Sequence, residues 1–267
     1  YPFIRENNIT VARRISGGGT VFHDSGNVNF SFIKNVKSPA EISFKQFTEP
    51  VREALAKLGV EATTSGRNDL LIEGKKVSGN AEHIFKNRVL HHGTLLYNSD
   101  LKNLGQAIKV VSGRYKSKAV QSNRSEVANI SSFLKTEISI REFIQFMIDV
   151  QLKKNKNTFY KLNEKEIQKI ETLVNDKFKT RKWNFGYSPK YLFKNSIEIE
   201  GKKISVELDV KRGLIENCKI TGDYFSNKRA KEISVQLKNQ WHIFAAIRDV
   251  LSTLEVDVAD EVIYCFF

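Results

Sequence analysis

Acidic side chains and cysteines are the two scarce classes in this 267-residue sequence. Asp and Glu number 30 against 43 Lys and Arg, which leaves a net charge of +13. An excess of that size favours acidic partners, either nucleic acid or an acidic protein domain. The lysines are scattered rather than clustered, so a generally basic solvated surface accounts for them equally well. Only two cysteines occur, Cys218 and Cys265, both late in the chain. That excludes a disulfide framework and a structural zinc site, and it fits a reducing, cytoplasmic setting. No apolar run is long enough to span a bilayer. No basic start precedes an apolar h-region, so no secretory signal is expected. Nor is there an internal repeat or a low-complexity tract.

What is present reads as an α+β chain. In "NITVARRISGGGTVFHDSGNVNFSFI" the pattern is strand, loop, strand, with Val28, Phe30 and Phe32 alternating with Asn29 and Ser31. Phe44, Phe47, Val51, Leu55 and Leu58 recur at helical spacing and Gly59 follows as a stop, with Pro50 as an expected kink. Next come a strand at Asp69–Ile72, a tight turn at Glu73-Gly74, a strand at Lys76–Ala81 and a return strand at Val89–Tyr97. The stretch "SGRYKSKAVQSNRSEVANI" reads as a mobile loop. Helices are expected over "SIREFIQFMIDVQLKK" and "NEKEIQKIETLVNDKF". Gly186 and Pro189 mark "RKWNFGYSP" as a linker, beyond which short strands turn at Glu200-Gly201 and Arg212-Gly213 and a helix-rich end follows. The expected division is a large mixed-sheet domain over residues 1–186 and a small α+β domain over 187–267.

Three clusters carry chemistry. The first is "RRISGGGTVFHDSGN", residues 13–27. Three consecutive glycines let backbone approach a ligand closely, and the flanking arginines suit an anion. It is neither a P-loop nor a G-x-G-x-x-G turn, and a plain flexible turn remains an alternative. The second is "KKVSGNA", residues 75–81. Alternation puts Lys76, Ser78 and Asn80 on one strand face, with Val77 and Gly79 on the other. A cleft-facing lysine needs an anionic partner; an edge-strand lysine needs none. The third is "HHGTLL", residues 91–96, which brings small polar groups to a strand end. Taken alone, His92 reads as a hydrogen-bonded structural histidine. The five histidines make no metal constellation, and "GNVNFS" is not a nucleophile elbow.

In this order, "RRISGGGTVFHDSGN", "SGRNDLLIEGKKVSGNA" and "HHGTLLYNSDL" resemble the lipoate–protein ligase family, of the lipoate-protein ligase A type within the biotin/lipoate ligase superfamily. The "WNFGYSP" stretch and the strands after it resemble that family's small accessory domain. The resemblance implies an ATP-dependent, AMP-forming ligase. It would activate lipoate to lipoyl-AMP and pass the lipoyl group to a lysine of a lipoyl domain, in 2-oxoacid dehydrogenase E2 subunits or the glycine cleavage H protein. It implies Lys76 as the group that contacts the activated carbonyl and phosphate. Arg14, Ser16, Gly17, Gly18, Gly19, Thr20, Val21, Phe22, His23, Asn27, Asn68, Asp69 and Ala81 would line the ATP and lipoyl-AMP site. His92, Gly93 and Thr94 would border the lipoate pocket, and Asp69 would lie near Mg²⁺. The basic loop at residues 112–124 would order over the adenylate. Acyltransferases of the superfamily use a catalytic cysteine, and no Cys precedes Cys218. A nucleic-acid or membrane partner is not expected. Family members also carry several dozen residues before the arginine motif, so the catalytic domain is expected to lack its usual N-terminal part.

Overall fold

Two-residue hairpins set the register of both sheets in the computed structural model of this chain, which describes residues 2–37, 42–66, 69–109, 111, 113–118, 125–155 and 157–267. At Glu73-Gly74, Glu200-Gly201 and Arg212-Gly213 both central residues have positive φ, between 50° and 78°. That is the twist-matched turn that joins adjacent antiparallel strands, and glycine at its second position carries the left-handed backbone without a Cβ penalty. All three turns fall where the sequence places them.

The chain divides into two compact units. One comprises residues 14–108 and 120–161. Its sheet is built from β1 (Asn27–Asn35), β2 (Thr63–Ser65), β3 (Asp69–Ile72), β4 (Lys75–Phe85) and β5 (Arg88–Leu96), in the order β1-β5-β4-β3-β2. Every named pair is antiparallel, and a parallel bridge joins Lys76 to Val127. Helix α2 (Phe44–Lys57) runs unbroken through Pro50 and buries Phe47, Val51, Ala54 and Leu55. Short α3 (Leu101–Ala107) starts on the Asp100 cap, and α4 (Ile140–Asn155) adds Phe143, whose ring stacks on Tyr97 at 4.4 Å. Leu55, Leu70, Val77, Leu95, Ile130 and Phe143 are fully buried in this core.

The other unit comprises residues 1–13, 109–119 and 162–267. Its sheet runs β6 (Tyr115–Ser117), β7 (Tyr191–Ile199), β8 (Lys202–Lys211) and β9 (Leu214–Gly222) in sequence order. Along β8, Ile204, Val206, Leu208 and Val210 are buried while their neighbours are not, the period of two that a half-covered strand requires. Helices α7 (Asn227–Gln236), α8 (Phe244–Thr253) and α9 (Asp260–Tyr264) add Ile233, Ile247, Val262 and Ile263 to the same core. Helix α5 (Glu164–Leu173) opens with a full capping box, Asn163 with Glu166.

Three expectations are corrected here. No strand forms ahead of the arginines: α1 (Pro2–Glu6) is followed by irregular backbone. Arg5 pairs with Asp260 at 2.6 Å and lies over the Phe244 ring, while Arg13 bonds to Asn184 and Ser188. The stretch read as a linker holds α6 (Arg181–Asn184), and Trp183 donates its indole N–H to the Arg13 carbonyl. The stretch read as a mobile loop contains β6, paired with β7, and the bridge at Val127. Residues 112 and 119–124 of that stretch lie outside the described residues.

The C-terminal core encloses an imidazole. His242 is buried, accepts the Tyr191 hydroxyl at Nδ1, donates from Nε2 to the Phe266 carbonyl, and stacks flat on Phe267 at 4.8 Å. Burial holds its pKa down at about 4. A histidine whose folded pKa is depressed contributes stability above its unfolded value near 6.5, and that stability drains away as pH falls toward the folded value. Between pH 7 and pH 4.5 this group should remove about 2 kcal/mol. Denaturant titrations at both pH values check this: His242→Gln, which cannot protonate there, should lose correspondingly less over the same interval.

Candidate active site

Cross-strand partners share a sheet face, so register decides what the five-stranded sheet displays on each side. The face against α2 is dry apart from one buried polar chain. His91 stacks on Phe47 at 4.8 Å, bonds to Glu82 at 2.9 Å and to Asn80 at 3.2 Å, and Asn80 reaches Ser78 at 3.3 Å. Burial lowers the pKa of His91, and Glu82 opposes that in part.

A register shift between Leu70 and Leu71 changes which residues face the other way. Leu70 pairs with Ser78 and Leu71 with Lys76, so Val77 is the extra residue of a bulge and both Val77 and Ser78 are buried. The expectation that Lys76, Ser78 and Asn80 share a face is therefore wrong. Ser78 and Asn80 join the core side, and Lys76 lies with Asp69 and Gly79 on the opposite, polar face. Its ammonium sits 2.8 Å from Asp69 Oδ1 and lies over Gly79, where an added Cβ would touch it at 3.4 Å. The backbone of Lys76 is clamped as well, donating to Glu126 O at 2.8 Å and accepting from Ala128 N at 3.0 Å.

Most of the remaining candidate residues lie on this polar face or against it. Thr94 accepts the Gly79 N–H at 3.4 Å, and His92 is the cross-strand partner of Ala81. Ser16 and His92 meet at 2.5 Å between Oγ and Nε2. Arg14 folds back on its own loop, donating to Gly17 O at 2.8 Å and Gly19 O at 2.7 Å. Gly18 has φ of 102° and packs against that guanidinium, where a Cβ would come within 2.7 Å of Nη2. Thr20, Val21 and Phe22 continue the loop, with Thr20 and Val21 exposed and Phe22 half-buried. His23 bonds to Asn27 at 2.9 Å, and Asn27 bonds to Asn29 at 3.0 Å. Desolvation and then the Arg14 charge lower the pKa of His92, and the same two causes, opposed by Asp24 and Asn29, lower that of His23. Asn68 lies outside the described residues.

Two motif residues serve structure. Gly93 faces the core: a Cβ there would lie 2.2 Å from Asn80 Oδ1 and 2.5 Å from the Phe30 ring. Gly26 is wedged against the Asn98 carbonyl at 1.9 Å by the same measure, and Asp24 ties the turn together by accepting from Gly26 N and Asp100 N. Asn29 was missed in the sequence reading, although alternation in "GNVNF" puts it on the same face as Asn27.

Metal and thiol chemistry have narrow room. No group of three His, Cys, Asp or Glu among the described residues is arranged to hold a metal ion. Asp69 offers a carboxylate on this face, and Lys76 pairs with it. That set fits an ion carried mainly by substrate phosphates, as Mg²⁺ often is, and not a dedicated cage. Both cysteines are free thiols that burial pushes up to about 11, which keeps them protonated near neutrality. No helix among the described residues is long and apolar enough to cross a membrane.

Comparison with known proteins places the same residues in context. Residues 1–151 match the model of the lipoyl protein ligase A/B catalytic domain, and residues 188–262 match that of the bacterial lipoate protein ligase C-terminus. The chain is 41% identical to lipoate–protein ligase 1 of Staphylococcus aureus over 254 residues, covering 95% of this chain and 77% of the relative. It is also 41% identical to the lipoate-protein ligase LplJ of Bacillus subtilis, covering 93% and 76%. Among solved structures it is similar to a lipoate-protein ligase A bound with ATP, with a TM-score of 0.57 and 28% identity over 68% of this chain and 74% of that one. It is likewise similar to the bipartite lipoate protein ligase of Thermoplasma acidophilum, described with its E2 lipoyl domain, with a TM-score of 0.58 and 28% identity over 68% and 72%.

The geometry at the two kinds of glycine predicts opposite outcomes. Gly93→Ala forces a Cβ into Asn80 and Phe30 and should destabilise the protein by about 1–3 kcal/mol, as overpacking does. Gly17→Ala meets nothing within 4 Å and should stay within about 0.5 kcal/mol of the parent. Denaturant midpoints of the two variants measure both.

Proposed function

The chain belongs to the lipoate–protein ligase family, and from that premise we propose that it activates lipoate with ATP and transfers the lipoyl group to a lysine of an acceptor domain. The observation that carries this reading is the convergence of the three motifs on one polar sheet face. The glycine loop, Lys76 with Asp69, and His92 with Thr94 come from separate stretches of sequence and lie on the sheet side opposite the core under α2.

Adenylation brings two anions together. A lipoate carboxylate oxygen attacks the α-phosphorus of ATP, the bond to the bridging oxygen breaks, and pyrophosphate leaves with that electron pair. The product is the mixed anhydride lipoyl-AMP. In the second half-reaction the acceptor amine attacks the anhydride carbonyl, the carbonyl–oxygen bond to AMP breaks, an amide forms and the amine loses a proton. Neither half-reaction needs a protein nucleophile, which agrees with two protonated thiols.

The protein's part is placement and charge. Arg14 spends its Nε and Nη2 donors on the Gly17 and Gly19 carbonyls. A guanidinium has five donors, so Nη1 is left to meet a phosphate oxygen. Lys76 gives one donor to Asp69 and has two more for the carboxylate, and later for the anhydride carbonyl. Asp69 holds the lysine until substrate arrives, and it is the residue that would hold a Mg²⁺ entering on the triphosphate, an ion that would neutralise phosphate charge. The acceptors we assign are lipoyl domains of 2-oxoacid dehydrogenase E2 subunits or the glycine cleavage H protein. A cytoplasmic location accords with two free thiols.

The direct test is to incubate the protein with ATP, Mg²⁺, lipoate and a lipoyl domain and weigh the acceptor; an unmodified acceptor together with no AMP release would refute the assignment. Lys76→Ala should cost roughly 10²–10³ in the rate of lipoyl-AMP formation, the usual consequence of removing one positioned charge. Its circular dichroism should match the parent, because the side chain is not part of the core. Charge steering gives a separate expectation. With a net +13, kcat/KM for an acidic acceptor should fall steeply as the Debye length shrinks from about 30 Å at 0.01 M salt to about 8 Å at 0.15 M. Lipoyl-AMP formation without acceptor should change far less over that range, and equal slopes for the two half-reactions would remove the argument.

A further inference from the structure

The glycine loop contains little that holds it still. Consecutive glycines lose more conformational freedom on ordering than any other residues, so neighbouring side chains must supply the order. Two contacts do so. The Arg14 bonds to Gly17 O and Gly19 O are local and shape the loop without fastening it to anything else. The bond between Ser16 Oγ and His92 Nε2 is of the other kind. It spans 76 residues of sequence and joins the residue just before the first glycine to the middle of β5. His92 stands on a well-anchored strand, paired with Ser31 on one side and Ala81 on the other.

We propose that the Ser16–His92 hydrogen bond is a latch that orders the glycine loop before ligand arrives, and that His92 is a positioning residue acting through Ser16. The ligand's identity rests on the function proposed above; the latch itself does not. A loop already held in its binding geometry spares the ligand the entropy of ordering it, so the latch acts on affinity. This differs from a role for His92 in touching the reacting atoms, and from a histidine that only stabilises the fold.

The experiment compares the parent with Ser16→Ala, His92→Ala, the double variant and His92→Gln, whose side-chain amide can still bond to Ser16. Three quantities are read: ¹⁵N order parameters of Gly17–Gly19 without ligand, affinity for a non-hydrolysable lipoyl-AMP mimic, and kcat at saturating ATP and lipoate. Either alanine variant should drop the glycine order parameters from the rigid value near 0.85 to below about 0.6. Each should weaken mimic binding about tenfold, equivalent to about 1.4 kcal/mol. The double variant should bind no worse than either single one, since both remove the same bond. His92→Gln should recover to within about threefold of the parent. Weakened binding with unchanged order parameters would overturn the latch in favour of direct ligand contact. Penalties that multiply in the double variant, or a kcat that falls with binding intact, would overturn it too. If the parent bound no mimic and made no adenylate, the functional reading would fall, and the unliganded order parameters would still decide the latch.

Discussion

A single extra residue in β4 separates the dry face of the catalytic sheet from its chemical face. Without the bulge at Val77, strict alternation would put Lys76 on the buried side of the sheet, with Ser78 and Asn80. An ammonium there would have to be desolvated without a carboxylate in reach, an arrangement proteins avoid. The bulge sends Val77 into the core with Leu70 and turns Lys76 toward Asp69. Gly79 leaves room for the lysine stem, and Thr94 accepts the Gly79 N–H from the next strand. Bulges recur beside active sites because they re-aim one side chain without disturbing the rest of the ladder.

The polar chain on the dry face has a matching role. Glu82, His91, Asn80 and Ser78 are linked in series inside an otherwise apolar layer. A buried chain of this kind costs little while every member is satisfied and much when one is lost. It also fixes the register of β4 against β5. A slip by one residue would expose His91 and bury His92. Gly93 belongs to the same layer, since Asn80 and the Phe30 ring occupy the space a side chain would need. The histidine pair in "HHGT" thus divides its duties: His91 serves the core, and His92 faces the glycine loop.

The two arginines that open the motif divide theirs as well. Arg13 bonds to Asn184 and Ser188 in the unit that holds the C-terminal sheet, and Arg14 wraps the glycine loop in the other. Adjacent in sequence, they sit on either side of a boundary between compact units. Asp24 and Gly26 close the motif by fastening its turn to residues 97–100. Of fifteen residues that look like a single ligand-binding signature, several are there to seat the others.

Local rules were legible in the sequence because they act between near neighbours. The hairpins at Glu73-Gly74, Glu200-Gly201 and Arg212-Gly213, the helix from Phe44 and the strand Asp69–Ile72 all follow from turn chemistry and periodicity. Composition and motif order were enough to identify the family. Tertiary structure decided what depends on partners far along the chain. Strand Tyr115–Ser117 forms only because β7 offers it an edge more than seventy residues later. The face of Lys76 depends on where β3 places its hydrogen bonds, the smallness of Gly93 on Phe30, and the separate duties of Arg13 and Arg14 on which folded unit each one meets. Alternation along one strand holds only while the pairing stays in register, and register belongs to two strands at once, so no reading of β4 by itself contains it.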